Sequence, residues 1–149
     1  MEPKFFEDVE VGDKGVTAGR TITEADVVAF AGLSGDYNPI HTDAEFCKGT
    51  MFKQRIAHGA LVYSISSGLF TQCEMNLSIK TNLMALMGIN WRFLKAVFFG
   101  DTVHVEVEII EKKETSKADR GIIIQKRSVV NQHGDTVQEG EVTLMMRRK

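Results

Sequence analysis

The sequence predicts an α+β fold in which an antiparallel sheet covers one long, buried helix. Two changes of pattern carry that prediction. Residues 59–75 form the most apolar stretch, with Ala60, Leu61, Val62, Tyr63, Ile65, Leu69 and Phe70 interleaved with Gly59, Ser64, Ser66, Ser67 and Gly68. A helix that is apolar on most sides is a buried helix, and small residues on it let other backbone approach closely. After residue 80 the period becomes two. Ile89, Trp91 and Phe93 alternate with Asn90 and Arg92, and Val103, Val105, Val107 and Ile109 alternate with His104, Glu106 and Glu108. That period marks half-buried strands. Residues 121–130 form a third β-rich run, and Val142, Leu144 and Met146 mark a fourth, with Gln132-His133-Gly134-Asp135 as a hairpin-type connection. The C-terminal half therefore reads as an antiparallel meander with one face to be covered, and the helix at 59–75 is its cover.

The N-terminal half is built from shorter pieces. Residues 5–20, with Gly12, Gly15 and Gly19, read as a loop holding one short strand. Thr23-Glu24-Ala25-Asp26 is a helix start, a Thr cap with an acidic residue three later. That helix runs through Val27, Val28, Phe30, Ala31 and Leu33 and stops near Gly35, where Ser34-Gly35-Asp36-Tyr37-Asn38-Pro39 is dense in turn formers. A further short helix is expected after Asp43, whose side chain would cap it. A length of 149 residues suits one domain, 1–149, with its own core. Internal repeats, low-complexity segments and linkers are not seen.

Composition removes several function classes. With 43% hydrophobic and 26% charged residues the chain is an ordinary globular sequence, not a disordered or fibrous one. A formal net charge of -2 gives no general pull toward nucleic acid. The run Arg147-Arg148-Lys149 reads as a solvated tail. Cys47 and Cys73 form neither a CxxC pair nor a metal knuckle and read as ordinary thiols in a reducing compartment. The first eight residues are too acidic, and too short of apolar length, for a secretory signal. No window reaches the ~18 uninterrupted apolar residues of a membrane span. The expectation is a cytoplasmic protein, or a mature soluble protein of an organelle, with no membrane or nucleic-acid partner.

Residues that carry chemistry gather between 34 and 68. Asp36 and His41 lie five residues apart on a tight loop, a pair able to hold a water and move its protons. His58-Gly59 immediately precedes the buried helix, whose start offers free N–H groups and the positive end of the macrodipole. Such groups stabilise a negative oxygen that forms during reaction. A water-activating pair facing an oxyanion site is what hydration of an α,β-unsaturated thioester needs. Each piece alone has a plainer reading: Asp36 as a turn residue, His41 as a structural histidine, His58 as a cap. His104 and His133 read as surface strand and turn residues. Asp36, His41 and His58 include metal-ligating types, but their spacing matches no zinc pattern. Neither a metal nor a cofactor is expected.

The segment Phe30-Ala31-Gly32-Leu33-Ser34-Gly35-Asp36-Tyr37-Asn38-Pro39-Ile40-His41-Thr42-Asp43 resembles the hydratase motif of the MaoC-like family, which contains the (R)-specific enoyl-CoA hydratases. The similarity continues through Ile56-Ala57-His58-Gly59 and Ser67-Gly68. It resumes at Trp91-Arg92-Phe93-Leu94-Lys95-Ala96-Val97-Phe98-Phe99-Gly100-Asp101. The resemblance implies a hot-dog fold, a long helix wrapped by an antiparallel sheet, and a homodimer that binds an acyl-CoA or acyl-carrier-protein thioester along the subunit boundary. By motif position it implies Asp36 and His41 as the catalytic dyad and Gly59 as the amide receiving the thioester oxygen. Ser67 would lie beside the catalytic carboxylate, and Asn38 would support the loop. Phe70, one helical turn after Ser67, is a candidate wall of an acyl tunnel, with plain core as the alternative. One departure is the stretch Arg55-Ile56-Ala57, where family members often carry a proline shortly before His-Gly. Two rival readings remain, a hot-dog thioesterase and a non-catalytic acyl-thioester binder or dehydratase subunit. The first is disfavoured because residues 59–73 contain no Asp or Glu.

Overall fold

The structure, a computed structural model, describes residues 2–149. A single turn of 3-10 helix at Phe6–Asp8 precedes the short strands β1 (Lys14–Val16) and β2 (Arg20–Thr21). Three helices follow, α1 (Glu24–Ser34), α2 (Pro39–Thr42) and α3 (Ala44–Lys48). Next come α4 (Gly59–Gln72) and α5 (Glu74–Ile79), and then the long strands β3 (Leu83–Phe93), β4 (Thr102–Glu114), β5 (Arg120–Asn131) and β6 (Thr136–Arg147). All strand pairs are antiparallel, and the sheet runs in the order β1-β4-β5-β6-β3, with β2 also on β4.

The expected architecture is present: α4 lies across the sheet. Its buried residues Leu61, Val62, Ile65, Leu69 and Phe70 share one core with Val103, Val105, Val107 and Ile109 of β4 and Ile123 and Val129 of β5. Full burial of each aliphatic side chain contributes about 1.5–3 kcal/mol, so this layer is the main source of stability. The caps also fall where expected. Thr23 and Asp26 form a reciprocal box at the start of α1, and the Asp43 carboxylate accepts from the Phe46 amide at the start of α3.

Three expectations need correction. The C-terminal half is not a simple meander, because β3 lies at the far edge beside β6 and away from β4. The chain between β3 and β4 is not a tight hairpin. It leaves the sheet so that Phe98 bridges to Ile56 and the Val97 carbonyl accepts from the Ala57 amide at 2.8 Å. Secondly, the helix predicted over 59–75 breaks at Cys73, whose extended backbone (φ -78, ψ 156) ends α4 and starts α5 with Glu74 in its first turn. A carboxylate is favoured at a helix N-terminus and disfavoured at a C-terminus, which explains a new helix starting there. Thirdly, the basic C-terminus is not free in solvent. Arg148 donates to Glu7 at 2.8 Å and Lys149 to Asp8 at 2.6 Å, folding the tail onto the N-terminal turn.

The edge strand β3 leaves large apolar side chains uncovered: Leu86 is 56% exposed, Met87 53% and Phe93 61%. A long apolar edge strand is a ready template for pairing with another chain. Among the described residues, no helix is long and apolar enough to cross a membrane.

Candidate active site

Two chain segments, 34–41 and 55–59, meet at the start of α4. The first leaves α1 through Gly35, whose left-handed backbone (φ 76) turns the chain sharply and suits a residue without Cβ. Asp36 follows. Its amide donates to the Ser34 hydroxyl at 3.1 Å and its carboxylate accepts from the Asn38 amide at 3.2 Å, an Asx-type turn. Pro39 then occupies the first position of α2, and that single turn carries His41.

The second segment is pinned from several sides. Arg55 donates to the His41 carbonyl at 2.8 Å and pairs with Glu24 of α1 at 2.6 Å. The Ile56 amide donates to the Ile40 carbonyl at 3.2 Å. These bonds give Arg55-Ile56-Ala57 its own anchorage. His58 caps α4, is almost fully buried, and stacks on His41 with ring centroids 3.9 Å apart and planes at 29°. Phe30 of α1 closes against its other side at 4.9 Å.

The hydrogen bonds fix both imidazole tautomers. His41 Nδ1 lies 2.8 Å from the Ile56 carbonyl and His58 Nε2 lies 2.9 Å from the Asp36 carbonyl, and a carbonyl only accepts. Each of those nitrogens therefore carries hydrogen. In the neutral ring the lone pair sits on His41 Nε2 and on His58 Nδ1. Asp36, His41 and His58 each place a potential ligand atom within 4.8 Å of the others. As a metal centre this set is poor. His58 Nδ1 is sealed from solvent, which leaves one carboxylate and one imidazole, fewer than the three protein ligands of a catalytic zinc. As a proton-handling pair it is well arranged, with an exposed carboxylate beside a histidine whose basic nitrogen is fixed.

His41 and Gly59 both line a cleft of about 940 Å³. Its walls are mainly apolar, with Phe52, Val62, Phe93 and Phe98 among them, while Lys95, His133 and Asp135 stand among its polar residues. Such a cleft is large enough for an extended organic ligand. The Lys95 ammonium, 3.0 Å from Asp135, holds that carboxyl below its ordinary range. Gly59 opens α4, where the first amides have no helical acceptor.

The structure brings Asp36, His41, Asn38 and Gly59 to one end of the fold. Asp36 is exposed beside the cleft and is not one of its lining residues. Ser67 sits half-buried two turns along α4, and among the described residues its hydroxyl is not hydrogen-bonded to Asp36. Phe70 does not line the cleft. The Arg127 guanidinium lies 3.7 Å from its ring centroid, so Phe70 takes the core alternative in this chain. Burial pushes Arg127 down to about 10, against the opposing influence of Tyr63 and Cys73.

Three residues had no catalytic or positioning role assigned from the sequence. His58 is the first. His133 is the second, because its turn folds back to line the cleft. Gln138, on β6, is the third: its side-chain amide donates to the Gly59 carbonyl at 3.0 Å and accepts from the Trp91 indole at 2.9 Å. Its one advance signal was weak, a polar residue in a strand otherwise alternating toward the core.

The family model described as the MaoC like domain matches residues 8–131. The chain belongs to the MaoC-like family. This MaoC-like chain is 34% identical over 143 residues to the (R)-specific enoyl-CoA hydratase of Rhodospirillum rubrum, covering 95% of this chain and 91% of that one. It is 37% identical over 117 residues to protein MaoC of Klebsiella aerogenes, covering 78% of this chain but only 33% of that longer protein. Among solved structures, an Archaeoglobus protein described as a monoamine oxidase regulatory protein superposes with a TM-score of 0.94 at 37% identity. It covers 100% of this chain and 97% of its own. A Mycobacterium tuberculosis protein described as having a double hot-dog fold superposes with a TM-score of 0.81 at 17% identity, over 99% of this chain and 45% of that one, which shows the fold alone. The MaoC-like chain has the hot-dog fold, and it falls among hydratases and dehydratases, which are hydro-lyases.

Proposed function

We propose that the protein hydrates a trans-2-enoyl thioester to the (R)-3-hydroxyacyl thioester, reversibly, and so also runs as a dehydratase. The observation that carries this reading is the pairing of Asp36 with His41 at one end of an apolar cleft whose wall includes the first residue of α4. In the proposed step, Asp36 takes a proton from water and His41, through Nε2, positions that water and shares the proton load. The water oxygen bonds to Cβ, the double-bond electrons move toward the thioester carbonyl, and the enolate oxygen is held by the Gly59 amide. A proton returned to Cα completes the addition of water, with no redox change and no cofactor.

The remaining assignments belong to the same proposal. The chain acts as one domain over 1–149, on an acyl-CoA or acyl-carrier-protein thioester. It works as a homodimer in which the apolar β3 edge is covered by a second copy. Asn38 supports the loop that carries Asp36, its amide donating to that carboxylate. A hot-dog thioesterase is less well supported, because α4 carries no acidic residue between Gly59 and Gln72.

The test is crotonyl-CoA hydration followed by loss of enoyl absorbance, with chiral analysis of the product. Asp36→Asn and His41→Ala should each lower kcat by about 100-fold or more, the usual scale of positioned acid–base catalysis. Variants that hydrate at the parent rate, or a wild-type protein that releases free thiol from saturated acyl-CoA instead, would overturn the assignment.

A further inference from the structure

We infer that His58 is a positioning residue that sets the distance between the water-activating carboxylate and the oxyanion amide; this rests on the hydratase reading above. The two segments of the site exchange hydrogen bonds in opposite directions. His41, on the Asp36 loop, donates to the Ile56 carbonyl at 2.8 Å, and His58, on the Ile56 segment, donates to the Asp36 carbonyl at 2.9 Å. Each imidazole thus grips the other's backbone, and the rings stack face to face between the two grips at 3.9 Å.

His58 occupies the more consequential position of the pair. Its side chain holds Asp36, which lies 22 residues away in sequence, and its own backbone leads directly into Gly59. One rigid residue therefore spans from the base to the helix start. The other bonds between the two segments, from Arg55, Ile56 and His41, reach Ile40 and His41 at the far side of α2, so among these bonds only that from His58 holds Asp36 itself.

The environment explains why the residue is a histidine. The site needs a planar group that stacks on His41, meets Phe30 at 4.9 Å, and still delivers one N–H to a carbonyl. Its cost is visible: among the described residues, Nδ1 is buried without a hydrogen-bond partner. An unpaired buried acceptor is destabilising, so the orphaned nitrogen is tolerated for what Nε2 does. A phenylalanine would fit the same space and avoid that cost, but it would release Asp36.

The experiment compares three variants of the full chain. His58→Phe keeps the stack and removes the donor. His58→Gln places an amide N–H where Nε2 stands, and His58→Asn carries the same amide one carbon too short. His58→Phe and His58→Asn should lose kcat by about 100-fold, the scale of a 1 Å misplacement, with KM close to that of the parent. His58→Gln should recover most of the rate and keep the (R) product. Equal kcat in the Gln and Asn variants, or a parent-like kcat in the Phe variant, would overturn the inference. A readout independent of turnover is the ring-nitrogen NMR of histidine-labelled wild-type protein. The clamp requires His58 as the Nε2–H tautomer, and an Nδ1–H tautomer rejects it. A wild-type protein that shows Nε2–H but hydrates nothing would sink the hydratase reading while leaving the clamp in place.

Discussion

Substituting Gly59 by alanine tests the cleft wall and the oxyanion site together. A Cβ at residue 59 would stand 2.8 Å from both Cδ1 and Cε1 of Phe93. Carbon atoms in contact prefer about 3.5–4.0 Å, so the ring must retreat by about 1 Å. Phe93 is 61% exposed on the edge strand and has room to retreat. The strain of crowding, about 1–3 kcal/mol in a closed core, should therefore stay near its lower limit. Alanine also favours helix over glycine by up to about 1 kcal/mol. The two effects nearly offset, and the denaturation midpoint should move little. Activity should respond far more, because Phe93 and Gly59 line the cleft where the thioester would lie. A displacement of about 1 Å there costs on the order of 100-fold, equivalent to about 2.7 kcal/mol of barrier. The assay is crotonyl-CoA hydration with Gly59→Ala, Phe93→Ala and the double variant. Gly59→Ala should be slow, and Phe93→Ala in the same chain should restore part of the rate by removing the ring that was pushed. A single variant as fast as the parent, or a double variant no faster than the single, would refute the reasoning.

Two further outcomes follow from the cap and the tail. Thr23→Ala removes the side chain that accepts from the Asp26 amide and should cost about 1 kcal/mol in chemical denaturation; kcat should hold, because Asp36 is tied to His58 and not to the start of α1. At acid pH the C-terminal tail should detach before the core unfolds. The hydrogen bond from Arg148 holds Glu7 below the ordinary carboxylate range, and that from Lys149 does the same for Asp8. Carboxyls with lowered values contribute stability above the unfolded value of about 4, and that contribution is lost as pH falls through the lowered value. Backbone NMR of Arg148 and Lys149 should therefore change below about pH 4; signals that stay constant until global unfolding would count against the tail contacts.

The layered fold was legible because its causes are local. The period-two runs of β4 and the apolar positions Leu61, Val62, Ile65, Leu69 and Phe70 of α4 both follow from burial, and burial leaves its mark on residue type. Strand order has no such mark. Nothing in the alternation of Ile89, Trp91 and Phe93 says whether β3 pairs with the next strand or with the last one. The answer lies in residues 94–101, whose backbone bonds go to Val137 of β6, to Ile22 and to Ala57 before α4, and not to a hairpin partner. Gln125 and Arg127 present the same difficulty in reverse. Both face inward while Lys126 between them is exposed, and among the described residues Arg127 meets Gln125 and the Phe70 ring without a carboxylate partner. Helical spacing from Ser67 made Phe70 a candidate tunnel wall, but that spacing carries no sign of the guanidinium that covers its ring.

The site divides along the same line. Asp36, His41 and Gly59 were legible because the string that holds them is specific and the chemistry needs those residue types near a helix start. His58 was visible as a residue but not as a contact. The partner of its ring is a backbone carbonyl, and every residue has one of those, so no pairing of residue types announces it. Gln138 is hidden for the same reason, since it donates to the Gly59 carbonyl. Side chains that bond to side chains leave paired signals in a sequence; side chains that bond to backbone leave only one. The supports of this site are of the second kind, and they hold the two termini of its geometry, the Asp36 carbonyl and the Gly59 carbonyl, from opposite sides of the helix start. A site held that way keeps its spacing when the surface around it varies, which is what the proposed addition of water to one face of a double bond would require of an exposed carboxylate on a turn.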